Sequence, residues 1–238
     1  MARVGCLLAL ARSYLGVLRV HMSMKGSVRF YRCGLALLAL TGIVISYVAI
    51  VPGAHVSRVR LTTNFLSYFT IQSNILLVVA LLSAEIAPSS PIGRWAKRAS
   101  TRTAVFLYVG VAGGVYLWML RDVWHPRGWQ LRGDQLLHYC IPLLVALDWM
   151  FLVERARLSW RHAIWWLCFP ALYSVYSLVH GYFSGFYPYP FLDVNNIGLQ
   201  PVLGNMALLG LLFLLLGGAL IVVDRIAARL GKETLQAE

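Results

Sequence analysis

Long apolar runs separated by short polar segments dominate the chain. Six of these runs reach or approach the length of about 20 residues that a helix needs to cross the hydrocarbon core of a bilayer. Their apolar residues are continuous rather than spaced along one face, which is typical of helices surrounded by lipid and by one another. The sequence therefore predicts an all-α polytopic membrane protein with six transmembrane helices in one bundle, at Val28 to Val51, Phe65 to Ala87, Thr103 to Val123, Gln135 to Val153, Trp160 to Phe183 and Gly198 to Val223.

The six runs define one transmembrane domain, residues 28–224, between a basic N-terminal segment, residues 1–27, and a basic tail, residues 225–238. The N-terminal segment contains an apolar stretch, VGCLLALA, of the length of a signal-peptide core. Arg12 follows it directly, and no polar mature sequence separates it from the first span. We therefore favour a basic interfacial helix, or a start at Met22 or Met24, over a cleaved signal peptide.

The composition is that of a membrane protein. Hydrophobic residues make up 59% of the chain and charged residues only 13%, which is too little polar surface for a soluble domain. The net charge of +12 does not indicate nucleic-acid binding, because the basic residues are spread over short loops between apolar runs. Membrane lipids, and no nucleic acid, are the expected partners.

Lys and Arg are distributed unevenly between the two sides of the predicted bundle. Most of them lie on one side, in residues 3–29, 94–102, 155–161 and 225–232. The longest loop of the other side, Ser184–Asn196, has no Lys or Arg, and that side carries only Arg58, Arg60, Arg121, Arg127 and Arg132. Since loops rich in Lys and Arg remain in the cytoplasm, both termini are expected to be cytoplasmic.

The cysteines and one acidic residue within a span are interpreted as structural. Cys6, Cys33, Cys140 and Cys168 show neither a CxxC pair nor metal-ligand spacing, so we expect them to be small buried apolar residues. Asp148 lies toward the inner end of the fourth span, where an interhelical or interfacial ion pair is expected. No metal and no other cofactor is expected.

The first half of the second span is unusually polar for a membrane helix. Ser67, Thr70 and Asn74 fall at i, i+3 and i+7 and form one stripe, which Asn64 extends by a turn and Ser73 flanks. Such side chains often bond neighbouring helices or their own backbone, and this packing role is favoured for Ser67 and Ser73. The alternative is that the stripe faces a cavity.

A histidine in the fourth span is expected at the depth of Thr70. At 1.5 Å per residue, Thr70 lies about 8 Å inside Phe65, and His138 lies about 6 Å inside Asp134. Both spans run inward from the same side, so the hydroxyl and the imidazole are expected in the same layer. Ionisable residues within a membrane span are functional candidates by default.

Two prolines are expected to distort the spans that contain them. Pro142 lies four residues after His138. Because proline has no N–H, the carbonyl of His138 lacks its helical hydrogen-bond partner, which predicts a kink and a polar gap beside the imidazole. Pro170 is expected to have the same effect on the carbonyl of Trp166.

More polar side chains gather at the expected outer end. The fifth span places four of them at i, i+3, i+4 and i+7: Tyr173, Tyr176, Ser177 and His180. By contrast, Leu77 to Leu82 carries no polar side chain, and the run NMALLGLLFLLLGGALIVV of the sixth span has only Asn205, near its outer end. This asymmetry predicts a cavity in the outer leaflet.

A hydroxyl beside an imidazole can carry out nucleophilic acyl transfer. We expect Thr70 as the nucleophile and His138 as the base that takes its proton. Asp134, at i−4 from His138, either orients the imidazole or stabilises the first turn of a helix. Candidates for stabilising the oxyanion or lining the substrate site are Asn74, Gln72, Ser67, Ser73, Tyr173, Tyr176 and His180.

Four motifs carry a family resemblance: YFTIQSNILL, GDQLLHYCIPLLVALDW, WWLCFPALYSVY and GFYPYPFLDV. They are similar to bacterial members of a predicted six-span membrane family that is allied to the eukaryotic androgen-induced and androgen-dependent membrane proteins. The resemblance implies a bacterial inner-membrane threonine hydrolase for lipophilic esters, with Thr70 as nucleophile and His138 as base. This chain has FTIQSN where the eukaryotic form reads nearer to LTFLN, so the eukaryotic substrate, a fatty-acid ester of a hydroxy fatty acid, does not carry over directly.

Two other functions remain open from the residues alone. Polar stripes, a proline-kinked helix and ionisable residues in spans also occur in small-solute transporters and channels. The inner half lacks a matching polar path, and the two halves of the chain show no internal repeat. A metal-dependent intramembrane hydrolase would need ligands from a set on the outer side that has no HExxH spacing: His125, His138, His180, Asp122, Asp134 and Asp193.

Overall fold

The computed structural model describes the backbone of residues 2–155 and 158–236 and the side chains of residues 26–155 and 158–229. It contains six helices long and apolar enough to cross a membrane: Gly26–Ile50, Phe69–Ile86, Ala99–Leu120, Trp129–Leu152, Trp160–Ser184 and Leu199–Arg229. The prediction of an all-α, six-span membrane protein is confirmed. These six segments are called the first to sixth spans below.

The two terminal spans belong to longer helices, Ala2–Ile50 and Leu199–Gln236. The predicted interfacial segment, residues 1–27, and the end of the predicted basic tail, residues 230–238, lie almost entirely outside the residues whose side chains are described. Of the cysteines that are described, Cys140 and Cys168 are exposed on the bundle surface and Cys33 is half-buried. The expectation of buried cysteines was wrong for the first two, because a thiol is apolar enough to face lipid.

Short helices join the spans. They are Arg58–Leu66 and Val194–Ile197 at the expected outer end and Pro91–Lys97 at the expected inner end, with a single 3₁₀ turn at Pro190–Leu192. Each short α-helix begins at a side-chain cap. Ser57 accepts a hydrogen bond from the N–H of Arg60, Ser90 from that of Gly93, and Asp193 from those of Asn195 and Asn196.

The second span begins four residues later than predicted. The chain leaves the helical conformation at Tyr68, whose ψ is 132°, so the helix Arg58–Leu66 ends and a new helix starts at Phe69. The Ser67 hydroxyl donates to the carbonyl of Thr63, 2.7 Å away, which satisfies a carbonyl that the break leaves free. Thr70 therefore lies in the first turn of its helix, not one turn inside a continuous span.

The fourth span begins earlier than predicted and contains two wide turns with i→i+5 hydrogen bonding. It consists of Trp129–Gln135, a wide turn at Leu136–Cys140, Ile141–Leu147 and a second wide turn at Asp148–Leu152. The first wide turn ends two residues before Pro142 and contains His138. A proline without an N–H favours such a turn, since the carbonyl four residues earlier has lost its partner.

The third span packs directly on this distorted region. A Cβ added to Gly113 would lie 2.9 Å from Cγ of Pro142 and 3.1 Å from the carbonyl oxygen of His138. Only glycine allows this approach. The third span ends in a wide turn of its own, Tyr116–Leu120, which follows the helix Ala99–Val115.

The fifth span is broken where Pro170 was expected to distort it. Its helices Trp160–Trp166 and Cys168–Ser184 meet at Leu167. The carbonyl of Trp166 accepts a hydrogen bond of 2.8 Å from the Tyr108 hydroxyl of the third span. A neighbouring span thus supplies the donor that the proline lacks.

Four charged side chains are buried together at the expected inner end. Asp148 pairs with Arg32 at 2.8 Å and with Arg102 at 3.6 Å, and both arginines also approach Glu85, at 3.5 and 3.6 Å. The cluster joins the first four spans and has no net charge. It confirms an interhelical ion pair at Asp148.

Candidate active site

The structure brings Thr70 and His138 together. The hydroxyl oxygen Oγ1 of Thr70 lies 3.2 Å from Nε2 of His138. Thr70 is 6% exposed, and it is held in the first turn of the second span. His138 projects from the wide turn before Pro142, which sets the direction of the imidazole.

The second nitrogen of His138 faces the main chain and side chain of Asp134. Nδ1 is 3.1 Å from Oδ1 of Asp134 and 3.2 Å from its carbonyl oxygen. Both are acceptors, so the proton of the neutral imidazole belongs on Nδ1, and Nε2 is free to accept a proton from Thr70. Asp134 lies in the second turn of its helix, so the alternative in which it stabilises a first turn was wrong.

Tyr116 of the third span contacts both Asp134 and His138. Its hydroxyl donates a hydrogen bond of 2.5 Å to Oδ2 of Asp134. Its ring stacks on the imidazole of His138, with the ring centroids 3.9 Å apart and the planes within 12°. Asp134 thus accepts one bond on each carboxylate oxygen, and the imidazole has little freedom to rotate. The sequence gave no reason to single out Tyr116.

A second tyrosine that sequence reasoning did not identify lies beside Thr70. The backbone N–H of Thr70 donates to the Tyr189 hydroxyl, 3.3 Å away. Burial raises the pKa of Tyr189 to about 12, so this hydroxyl keeps its proton over the neutral and mildly alkaline range. Tyr189 comes from the loop after the fifth span, and the only signal for it was the paired prolines of YPYP, which stiffen that loop.

Specific contacts hold the Tyr189 loop against the bundle. The amide of Asn205, from the sixth span, donates to the carbonyl of Phe191 at 2.8 Å. The ring of Tyr187 covers Gly181 so closely that there is no room for a Cβ at this position. The rings of Tyr189 and Phe191 stack at 5.2 Å. The loop is therefore a fixed wall of the site.

The position of Thr70 at a helix start adds an electrostatic contribution. The first N–H groups of a helix have no partner within it, and they carry part of the positive end of the helix dipole. The first hydrogen bond of this helix runs from the N–H of Gln72 to the carbonyl of Tyr68. A negative charge that develops on an oxygen beside Thr70 would be stabilised there.

Three other predicted polar residues support the backbone around Thr70. The Asn74 amide and the Ser73 hydroxyl both donate to the carbonyl of Thr70, at 2.8 and 3.1 Å. The Gln72 amide turns away and donates to the carbonyl of Leu66 at 3.0 Å. None of the three lines a cavity that contains Thr70.

The remaining predicted polar residues lie between the short helix Arg58–Leu66 and the fifth span. Ser67 lies 3.1 Å from the Tyr176 hydroxyl, and Nε2 of His180 lies 3.1 Å from the Asn64 amide oxygen. These contacts correspond to the helix-packing interpretation. Tyr173 is different, because it is 7% exposed and lines a cavity next to Thr70.

Two cavities meet at Thr70. One has a volume of about 380 Å³ and lies among the third, fifth and sixth spans. The other has a volume of about 290 Å³ and lies among the first, third and fourth spans. His138 and Asp134 line it. Thr70, Leu120 and Tyr189 line both. The sequence predicted one cavity around Thr70, whereas the structure has two.

Within the described ranges, no three His, Cys, Asp or Glu side chains come together in a way that would hold a metal ion. His180 faces Asn64 and does not approach His138. The metal-dependent alternative therefore has no ligand set in this part of the chain. Comparison with protein-family models, curated proteins and solved structures gave no match.

Proposed function

We propose that this protein is an integral-membrane hydrolase that cleaves lipophilic esters, with Thr70 as the nucleophile and His138 as the general base. The observation that carries the proposal is the continuous contact from Thr70 Oγ1 to His138 Nε2 at 3.2 Å and from His138 Nδ1 to Asp134 Oδ1 at 3.1 Å. A nucleophile, a base and a group that orients the base are the parts that acyl transfer requires.

The first half of the reaction forms an acyl-threonine. Nε2 of His138 takes the Thr70 proton while Oγ1 attacks the ester carbonyl carbon, and the carbonyl oxygen becomes an oxyanion. The Tyr189 hydroxyl accepts from the N–H of Thr70, so its own proton can be donated to that oxyanion, and the positive end of the helix dipole of the second span lies beside it. The imidazolium then gives its proton to the leaving alkoxide, which departs as an alcohol.

The second half restores the threonine. A water molecule takes the place of the alcohol, His138 removes one of its protons, and the resulting hydroxide attacks the acyl carbon. The tetrahedral intermediate collapses as the bond to Thr70 Oγ1 breaks. Oγ1 recovers the proton from the imidazolium, and a carboxylic acid is released. Asp134 stabilises the imidazolium in both halves without changing its own protonation.

The proposed setting is the bacterial inner membrane, with both termini in the cytoplasm and the site at the periplasmic end. The distribution of Lys and Arg over the loops supports this orientation. The substrate would then be a lipophilic ester that partitions into the outer leaflet, among the membrane lipids.

A transporter or channel has less support from the described residues. Toward the inner end the second span is packed with buried apolar side chains: Leu77, Ala80, Leu81 and Ala84. The cavity beside the inner charge cluster has a volume of about 20 Å³, room for about one water molecule. A solute path would have to open both features.

Covalent labelling tests the proposal without knowledge of the substrate. A lipophilic fluorophosphonate requires only an activated oxygen nucleophile and its base, and its label is expected on Thr70. Thr70→Ala should abolish labelling, His138→Ala should reduce it severely, and Thr70→Ser should retain part of it.

Two nearby hydroxyls serve as matched controls. Ser73→Ala and Ser67→Ala remove side chains that contact carbonyls and a tyrosine rather than His138, so labelling should change little. Folded protein that takes no label, or that is labelled equally well without Thr70, would contradict the hydrolase proposal.

A further inference from the structure

The two cavities at Thr70 differ in the chemistry of their walls. The larger cavity is lined almost wholly by apolar side chains, and its few hydroxyls lie near Thr70 or on the fifth span. The smaller cavity contains the imidazole of His138, the carboxylate of Asp134 and the amide of Gln130. One chamber therefore suits a hydrocarbon chain, and the other suits polar groups and water.

The mechanism of acyl transfer determines which cavity receives the acyl group and which receives the alcohol and the water. Nε2 of His138 must give a proton to the leaving alkoxide and later take one from water, so both have to reach the side of Thr70 that faces the imidazole. That side is the smaller cavity. The acyl group stays bonded to Thr70 between the two steps, so it must extend the other way, into the larger cavity.

The larger cavity runs from the site toward the middle of the bundle. Met206, Gly210 and Phe213 of the sixth span line it at i, i+4 and i+7, which covers about 10 Å of helix at 1.5 Å per residue. Leu167, at the break of the fifth span, lines it as well. The cavity therefore follows the direction of lipid tails.

The wall between the fifth and sixth spans has an opening of small residues. Ala171 and Ala207 both line the larger cavity and are exposed on the bundle surface. Because this surface faces the hydrocarbon core of the membrane, a chain would enter sideways from the lipid without crossing water.

We propose that the larger cavity is a medium-chain acyl pocket entered from the lipid, and that Gly210 sets its depth; the assignment of its carboxyl end to Thr70 rests on the proposed hydrolase function. A methylene fills about the volume of a water molecule, about 30 Å³, so a cavity of about 380 Å³ holds an unbranched chain of up to about 12 carbons. The smaller cavity receives the alcohol and then the water.

Gly210 offers a way to change the depth of the pocket. A Cβ added there meets no atom within 4 Å, so a larger side chain would grow into the cavity without displacing the backbone. Gly204 is a matched control on the same helix, since its Cβ also meets no atom within 4 Å and it does not line the cavity.

Photo-crosslinking tests occupancy independently of catalysis. Thr70→Ala protein in vesicles is irradiated with dodecanoic acid that carries a diazirine at its terminal carbon, and the modified residues are mapped by mass spectrometry. We expect modification at the deep end of the pocket, at Phe213 and Leu167. Gly210→Leu should lower it by about tenfold, and Gly204→Leu should leave it unchanged.

Each outcome separates the pocket from the hydrolase. Modification of Phe65 or Ile71 in the smaller cavity, or of lipid-facing residues alone, would overturn the acyl pocket. Modification of Phe213 that is lost in Gly210→Leu would support the pocket. If the wild-type protein at the same time takes no fluorophosphonate on Thr70, the hydrolase proposal is rejected while the pocket stands.

Active protein gives a second measurement. Across p-nitrophenyl esters from hexanoyl to hexadecanoyl, wild-type kcat/KM should be highest at or below about 12 carbons. Gly210→Leu should reduce kcat/KM for the dodecanoyl ester by about tenfold and leave the hexanoyl ester nearly unchanged. A uniform loss across the series would contradict the role of Gly210.

Discussion

Replacement of Asp134 by Asn tests how the imidazole is held, because the new side chain can accept a hydrogen bond on only one of its two terminal atoms. The Tyr116 hydroxyl donates to the carboxylate at 2.5 Å, and it would take the amide oxygen as its acceptor. The amide nitrogen would then face Nδ1 of His138, so a donor would oppose a donor. The imidazole must either turn to the carbonyl of Asp134 or exchange its protonated nitrogen.

The structure sets the size of the expected loss. In enzymes with a Ser-His-Asp triad the same change lowers kcat by about 10⁴, because the imidazole carries its proton on the wrong nitrogen. Here the main-chain carbonyl at residue 134 lies 3.2 Å from Nδ1 and still accepts that proton. What is lost is mainly one hydrogen bond to a charged group, about 1.5–3 kcal/mol, which corresponds to a roughly 10- to 150-fold lower rate.

A double variant makes the test sharper. With Tyr116→Phe, nothing competes for the amide oxygen of the Asn side chain, which can turn to accept from Nδ1, while the Phe ring still stacks on His138. The double variant should therefore be more active than Asp134→Asn alone. The readouts are the second-order rate constant of fluorophosphonate labelling and kcat/KM for a p-nitrophenyl ester.

The control is Asp122→Asn, at an acid of the same end whose side chain is 84% exposed and contacts Arg121. It should leave both readouts unchanged. If Asp134→Asn reacts at the wild-type rate, Asp134 does not orient the base. If the losses of the two single variants simply add in the double variant, the competition for the amide oxygen is refuted.

Four further measurements follow from the structure. Reporter fusions after Ala87 and after Tyr187 should lie on opposite sides of the membrane, cytoplasmic and periplasmic respectively, and the same side for both would overturn the outer-leaflet site. Ester hydrolysis should survive strong chelators, because the proposed nucleophile and base need no metal ion, whereas loss on chelation with recovery in zinc would favour a metal-dependent enzyme. Tyr189→Phe should lower kcat by about 10²–10³, and the same change at the exposed Tyr182 is its control. Because the pKa of Tyr189 is raised to about 12, its ionisation should cause no decline of wild-type kcat below about pH 10. Asp148→Ala leaves two arginines buried beside one remaining acid, so thermal unfolding in detergent should report a loss of about 3–5 kcal/mol in stability.

The sequence was sufficient for the parts that depend on hydrophobicity and helix rise. Length and apolar content located all six spans, since nothing else in the chain can bury that much apolar surface. Counting 1.5 Å per residue from the expected outer end placed Thr70 and His138 in one layer, and the structure places them 3.2 Å apart. Their chemical roles remain a proposal.

The helix break at Tyr68 was not predictable, because Ser67 and Tyr68 are compatible with a continuous helix and no Gly or Pro marks the site. Contacts distant in sequence accompany it: Tyr176 beside Ser67, and the ring of Tyr189 against that of Tyr68 at 5.6 Å. The start of the fourth span was missed for a related reason. Trp129–Gln135 is polar enough to read as a loop, although it is helical and carries Asp134.

Contacts between residues of different spans could not be predicted from the sequence either. Asp148 was expected in an ion pair, but its partners Arg32 and Arg102 lie on other spans, 116 and 46 residues away in sequence. Tyr116 and Tyr189 reach the site from the end of one span and from a loop. Both positions are fixed by tertiary packing, which local patterns do not encode.

The break in the second span shapes the proposed site around Thr70. Had the helix continued through Tyr68, the N–H of Thr70 would be bonded within the helix and could not hold the Tyr189 hydroxyl beside Thr70. The break instead leaves the N–H of Thr70 to bond the Tyr189 hydroxyl, beside the smaller cavity, which is lined by loop residues such as Trp124 and Pro188. The larger cavity descends from the same point into the apolar bundle. A molecule with an ester group at the interface and a chain among the lipid tails would present its carbonyl to Thr70 without leaving the membrane, so the cost of transferring its chain through water would not arise.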